Sequence, residues 1–130
     1  MTVASSYAAA PSRRDVVIVG AGPAGASLGL LLAERGVQVT LVEAARRFDR
    51  QFRGQGLMPC GLEALAQMGL EPLLADLPQR PLAGWSFCVN GRELFDAAEP
   101  LGSARPCTLL PHAALLAALV QRARRQHSFA

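Results

Sequence analysis

The chain has 130 residues, 51% of them apolar, and 13 basic against 10 acidic residues give a net charge of +3. Such a chain can bury a core as one domain without disulfide or metal staples. Its basic residues are all arginine and form separate groups (Arg13 and Arg14; Arg46, Arg47, Arg50 and Arg53; Arg122, Arg124 and Arg125), not a stripe interleaved with aromatics, so nucleic acid is not an expected partner.

Met1 to Ser12 has neither a charged start nor an apolar core of useful length, so it does not read as a secretion signal. Residues 1–14 are expected to be a disordered tail, with one domain over 15–130. The widely spaced Cys60, Cys88 and Cys107 contain no C-x-x-C, which points to reduced thiols and a cytoplasmic location.

Asp15 to Gly25 reads DVVIVGAGPAG. Val16 to Val19 has the continuous apolar, mostly β-branched character of a parallel strand buried on both faces. Gly20-Ala21-Gly22-Pro23-Ala24-Gly25 fits G-x-G-x-x-G, and a helical pattern follows over Ala24 to Arg35. The three glycines serve different ends, since Gly20 makes the tight turn, Gly22 admits a pyrophosphate to the backbone, and Gly25 lets the helix lie close on the strand. Gly36 stops the helix, and Val37 to Val42 read as a second parallel strand. Glu43 then stands where a carboxylate can accept hydrogen bonds from an adenosine ribose; a 2′-phosphate there would meet like charge. The uncharged run from Val16 to Ala33 has the length of a membrane span, but its four glycines and Pro23 belong to the nucleotide fingerprint, so no stable membrane insertion is expected.

Beyond Glu43 lies a polar, arginine-rich loop. Pro59 opens a helical pattern carried by Leu62, Leu65, Ala66 and Met68 and stopped by Gly69. A second brief helix follows between Leu70 and Leu77. Trp85 to Val89, Asn90-Gly91 and Arg92 to Phe95 read as a β-hairpin with a type I′ turn. Asp96 to Pro106 reads as a loop and Cys107 to Leu110 as a short strand, the candidate third member of the parallel sheet. From His112, the spacing of Leu115, Leu116, Leu119, Val120 and Ala123 predicts an amphipathic return helix ending in arginines. Two parallel strands and one candidate third make a small sheet, so the segment reads as the front of a larger domain.

These motifs resemble the opening of flavoprotein monooxygenases of the para-hydroxybenzoate hydroxylase type. DVVIVGAGPAGASLGLLLAERGVQVTLVE is similar to their FAD fingerprint, FRGQGLMPCGLEALAQMGL to the segment bearing an arginine about ten residues past the acid, and LLPHAALLAALVQRA to a later helix. The resemblance implies an α/β fold: a Rossmann-like βαβ dinucleotide-binding unit with a β-hairpin and return helix, forming an incomplete FAD-binding domain. It implies that Gly20, Gly22, Pro23, Ala24 and Gly25 hold the FAD pyrophosphate, Glu43 the adenosine ribose, and that Arg53 reaches back to the cofactor. His112 stands where the family has Arg or Gln and would donate on the flavin side; its alternative is a solvent-facing helix start. Cys60 is expected to be a small buried thiol, and Trp85 a core residue.

No Ser/His/Asp set, paired carboxylates or metal-ligand cluster emerges, and flavin chemistry requires none. The implied activity is a flavin-dependent monooxygenase using NADPH or NADH and O2 on an organic small molecule, aromatic substrates among them. A geranylgeranyl-reductase-like or halogenase-like flavoprotein is the alternative within the superfamily. A truncated, non-catalytic dinucleotide-binding module is the alternative outside it. Substrate and oligomeric state are not legible.

Overall fold

The computed structural model describes residues 14–46, 56–100, 102 and 104–130. The expected tail over 1–13 and Arg47, Arg50 and Arg53 lie outside the described residues. Arg14, at the boundary, donates from its guanidinium to Gln38 Oε1 at 3.3 Å.

Strand β1 (Val16–Val19) pairs in parallel with β2 (Val39–Val42), Val16 opposite Val39 and Val19 opposite Val42. Between them runs α1 (Pro23–Glu34). The helix starts one residue earlier than the sequence pattern suggests because Pro23, with φ preset and no N–H to lose, takes the first helical position. Strand β2 starts two residues later than expected. Gly36, at φ +80°, donates to Ala33 O, and Val37 donates to Leu32 O at 3.1 Å, so Val37 completes the helix cap instead of the strand.

Close helix-to-strand packing rests on two glycines one turn apart on α1. A Cβ on Gly25 would lie 2.0 Å from Gly20 O, and one on Gly29 would meet the Phe129 ring at 3.2 Å and Ile18 Cδ1 at 3.6 Å. A side chain at Gly25 would collide with backbone, which cannot turn aside.

The third parallel member is not the expected one. Phe129 bridges Val39 in parallel, Val39 N–H donates to Ser128 O at 2.7 Å, and Leu41 N–H donates to Ala130 O at 2.8 Å. Ser128 is buried, and its hydroxyl donates to Ala33 O at 2.8 Å, tying this segment to the end of α1. The candidate third strand is instead β7 (Thr108–Leu109), which pairs antiparallel with β3 (Gly56–Leu57) and β4 (Arg80–Pro81) in a separate small sheet.

Helices α2 (Pro59–Gln67), α3 (Pro72–Ala75) and α4 (His112–Ala123) follow the sequence pattern closely. Gly69, at φ +70°, closes α2 with the same cap as Gly36, Leu70 N–H donating to Leu65 O at 2.8 Å. The core joins Ala26 and Leu30 of α1 to Leu62 and Leu65 of α2, Leu70, Leu74 of α3, and Leu115, Leu116, Leu119, Val120 and Ala123 of α4. Arg122 on α4 adds an ion pair to Glu34 of α1 at 2.6 Å.

The opposite face of the parallel pair is open. Val17 is 60% and Val19 85% exposed, so β1 buries one face where the sequence pattern suggested two. The hairpin of β5 (Gly84–Val89) and β6 (Arg92–Ala98) carries Asn90 at φ +50° and Gly91 at +76°, the conformation its Asn-Gly turn demands. Its second strand runs to Ala98, three residues further than Phe95. Pairing of Asp96, Ala97 and Ala98 with Ser86, Trp85 and Gly84 overrides their weak strand preference. Trp85 is half-buried outside the main core, its indole N–H donating to the Glu99 carboxylate. Phe87 and Phe95 stack with centroids 6.4 Å apart while remaining largely exposed.

Cys60 is exposed, contrary to expectation: it sits on the outer side of the first turn of α2, whose inner side is taken by Leu62 and Leu65. Cys107 is the buried thiol, and burial, followed by the charge of Glu99, pushes its pKa up. No helix among the described residues is long and apolar enough to cross a membrane, and the run from Val16 to Ala33 divides into strand, turn and helix.

Gly25→Ala is expected to lower unfolding free energy by ~1 to 3 kcal/mol, the usual cost of overpacking. An unchanged urea midpoint would show that the turn and helix are not in contact as described.

Candidate cofactor-binding site

The site forms where β1 and β2 end and α1 begins. Gly20, at φ +101°, turns the chain out of β1, and its N–H donates to Val42 O at 2.7 Å, fastening the turn to the end of β2. Gly22 is the N-cap of α1, and a Cβ built on it would meet nothing within 4 Å. Open space therefore lies beside the backbone where a pyrophosphate would approach.

The internal ladder of α1 begins with Ala26 N–H donating to Gly22 O at 2.8 Å. The N–H groups of Ala24 and Gly25, ahead of that bond, belong to the first turn, which has no intrahelical acceptor. Those N–H groups and the positive end of the helix dipole favour an anion.

Glu43 follows β2 and is half-buried. Its Oε2 accepts from Ala21 N–H and its Oε1 from Ala45 N–H, both at 2.8 Å. The acid thus braces the glycine turn against the loop after β2, a role the sequence does not disclose. An ionised carboxylate offers about four acceptor sites, so bracing is compatible with receiving ribose hydroxyls as well.

Next to this brace is a cavity of about 250 Å³. Leu41, Val120 and Phe129 supply apolar walls, Ala21 and Glu43 border it on the turn side, and Arg46 and Arg124 also line it. The sequence motifs mark Ala21 and Glu43, but the wall from α4 and residues 129–130 is assembled by tertiary packing alone. Only the amphipathic spacing of Val120 hints that α4 faces inward.

Gly20, Gly22, Pro23, Ala24, Gly25 and Glu43 are thus brought together at one end of the parallel pair. His112 is not among the residues lining the cavity. It opens α4 and is half-buried, while Arg124 caps the other end, about 18 Å away at 1.5 Å per residue. Arg53 lies outside the described residues.

An open glycine turn, a helix start and an acid beside a cavity of mixed apolar and charged lining fit the ADP half of a dinucleotide. Residues 13–129 match the FAD binding domain family. The chain belongs to that family. It is 48% identical over 56 residues to 6-methylpretetramide 4-monooxygenase from Streptomyces rimosus, a match covering 43% of this chain and 13% of that protein. It is 33% identical over 81 residues to the 1H-pyrrole-2-carbonyl-[peptidyl-carrier protein] chlorinase of Pseudomonas fluorescens, covering 61% of this chain and 18% of that enzyme. The structure of PqsL from Pseudomonas aeruginosa, described as a probable FAD-dependent monooxygenase, superposes with a TM-score of 0.72 at 26% identity, over 89% of this chain and 31% of that one. This chain therefore spans less than a fifth of the two curated relatives and about a third of the solved chain.

Glu43→Gln tests the brace. A glutamine amide can accept through only one oxygen, leaving either Ala21 N–H or Ala45 N–H facing an NH2 group. Unfolding stability is expected to fall by about 1 to 3 kcal/mol at unchanged m-value, and a midpoint equal to wild type would exclude the bracing role.

Proposed function

We propose that this chain binds the ADP half of FAD and is the FAD-binding N-terminal portion of a flavin-dependent monooxygenase using NADPH or NADH and O2. The observation that carries the reading is the open backbone at Gly22, beside a carboxylate pinned to Ala21. In it, the pyrophosphate lies at Gly20, Gly22, Pro23, Ala24 and Gly25 against the start of α1. The ribose hydroxyls donate to Glu43, and the base enters the cavity next to it. Arg53 reaches back to the cofactor, its planar fork suited to phosphate oxygens. His112, at the far end of α4, donates on the flavin side.

When bound, FAD supplies the redox chemistry, accepting electrons from the nicotinamide and passing them to O2. This chain's own contribution is to bind and orient one end of the cofactor. The oxidised substrate is an organic small molecule, as the monooxygenases among its relatives suggest. The chlorinase match favours a second reading, a halogenating flavoprotein, since this segment is similar to both a monooxygenase and a chlorinase. Chlorinated against hydroxylated product, from the whole protein that carries this segment, separates the two.

Calorimetric titration of the chain with ADP tests the site. Glu43→Ala is expected to weaken ADP about 10- to 150-fold, the ~1.5 to 3 kcal/mol of a hydrogen bond to a charged group. ADP carrying a 2′-phosphate is expected to bind more weakly than ADP. Equal affinity of wild type and Glu43→Ala for ADP would remove Glu43 from the site.

A further inference from the structure

We propose that Arg124, from the C-terminal cap of α4, is the base-holding residue of this site, its guanidinium stacking on the adenine ring. The inference rests on the reading that the ADP half of a dinucleotide binds here. The cavity beside Glu43, about 250 Å³, is smaller than the ~300–1,000 Å³ of most ligand clefts, the size for one end of a ligand. Its apolar walls, Leu41, Val120 and Phe129, suit the flat face of a nucleobase, and Arg46 and Arg124 complete the lining with cations.

The arginines at the end of α4 are not equivalent. Arg122 is held by Glu34 at 2.6 Å and serves as a strut between helices. Arg125 does not line the cavity. Arg124 lines it and, among the described residues, has neither an ion-pair nor a side-chain hydrogen-bond partner. A guanidinium is planar and weakly hydrated, so it stacks on an aromatic face as an ammonium does not. Beside the apolar walls of the cavity this contact discriminates a nucleotide from the bare phosphates that the start of α1 would also attract.

The test is calorimetric titration of the folded full chain with ADP and, separately, with inorganic pyrophosphate, for wild type, Arg124→Ala, Arg124→Lys and Arg125→Ala. Circular dichroism checks that each variant retains its helices. Arg124→Ala is expected to weaken ADP about 5- to 30-fold and leave pyrophosphate unchanged. Arg124→Lys, which keeps the charge and loses the plane, recovers only part of the loss, and Arg125→Ala binds ADP like wild type. Four outcomes overturn the proposal: no loss in Arg124→Ala, an equal loss for pyrophosphate, full recovery with lysine, or the same loss in Arg125→Ala. In each of these wild type still binds ADP, so the cofactor reading survives. A wild-type chain that binds no ADP overturns both.

Discussion

The site depends on one carboxylate held between two backbone N–H groups. Glu43 accepts from Ala21, inside the glycine turn, and from Ala45, in the loop after β2, both at 2.8 Å. These bonds and Gly20 N–H to Val42 O fix the turn relative to both parallel strands. Glycine lends the turn its shape but not rigidity, because residues without side chains lose most conformational entropy on ordering. The acid's two bonds offset that cost at the turn. The acid therefore orders the turn, and in the proposed reading the same side chain also receives the ribose hydroxyls.

The second constraint is the contact of α1 with its sheet. Gly25 lies so near Gly20 O that no side chain fits between, and Gly29 admits the Phe129 ring by the same absence. One face of the helix thus sets how closely the glycine turn sits on β1 and how the segment at 128–130 joins the sheet. Ser128, donating to Ala33 O, closes the far end of the arrangement. The cavity beside Glu43 is the product of this geometry: its walls come from β2, α4 and residues 129–130, brought side by side by packing on α1.

How much of this is legible in the sequence follows from the range of each interaction. The strand, turn, helix and acid can be read because their signals are local: β-branched residues in a run, glycines at fixed spacing, an acid at the end of the next strand. The caps at Gly36 and Gly69 are legible as helix stops for the same reason, although Val37 has the side chain of a strand residue while its N–H completes the cap. The two-residue strands β3, β4 and β7 carry no periodicity and exist only through pairing with distant partners. The parallel member at Phe129 follows a helix end and is too short for a pattern. Arg124 reads in sequence as one more cation favoured by a helix C-terminus, and only the fold distinguishes it from Arg122 and Arg125.

The central claim is that a nucleotide binds across the glycine turn and the cavity beside Glu43, and amide chemical shifts of the isotope-labelled chain during ADP titration test it most directly. The account predicts the largest changes at Ala21, Gly22, Ala24, Gly25 and Ala45, with a second group at Arg124, Phe129 and Ala130. Changes confined to the β5–β6 hairpin, or no changes in the turn at saturating ADP, would contradict it.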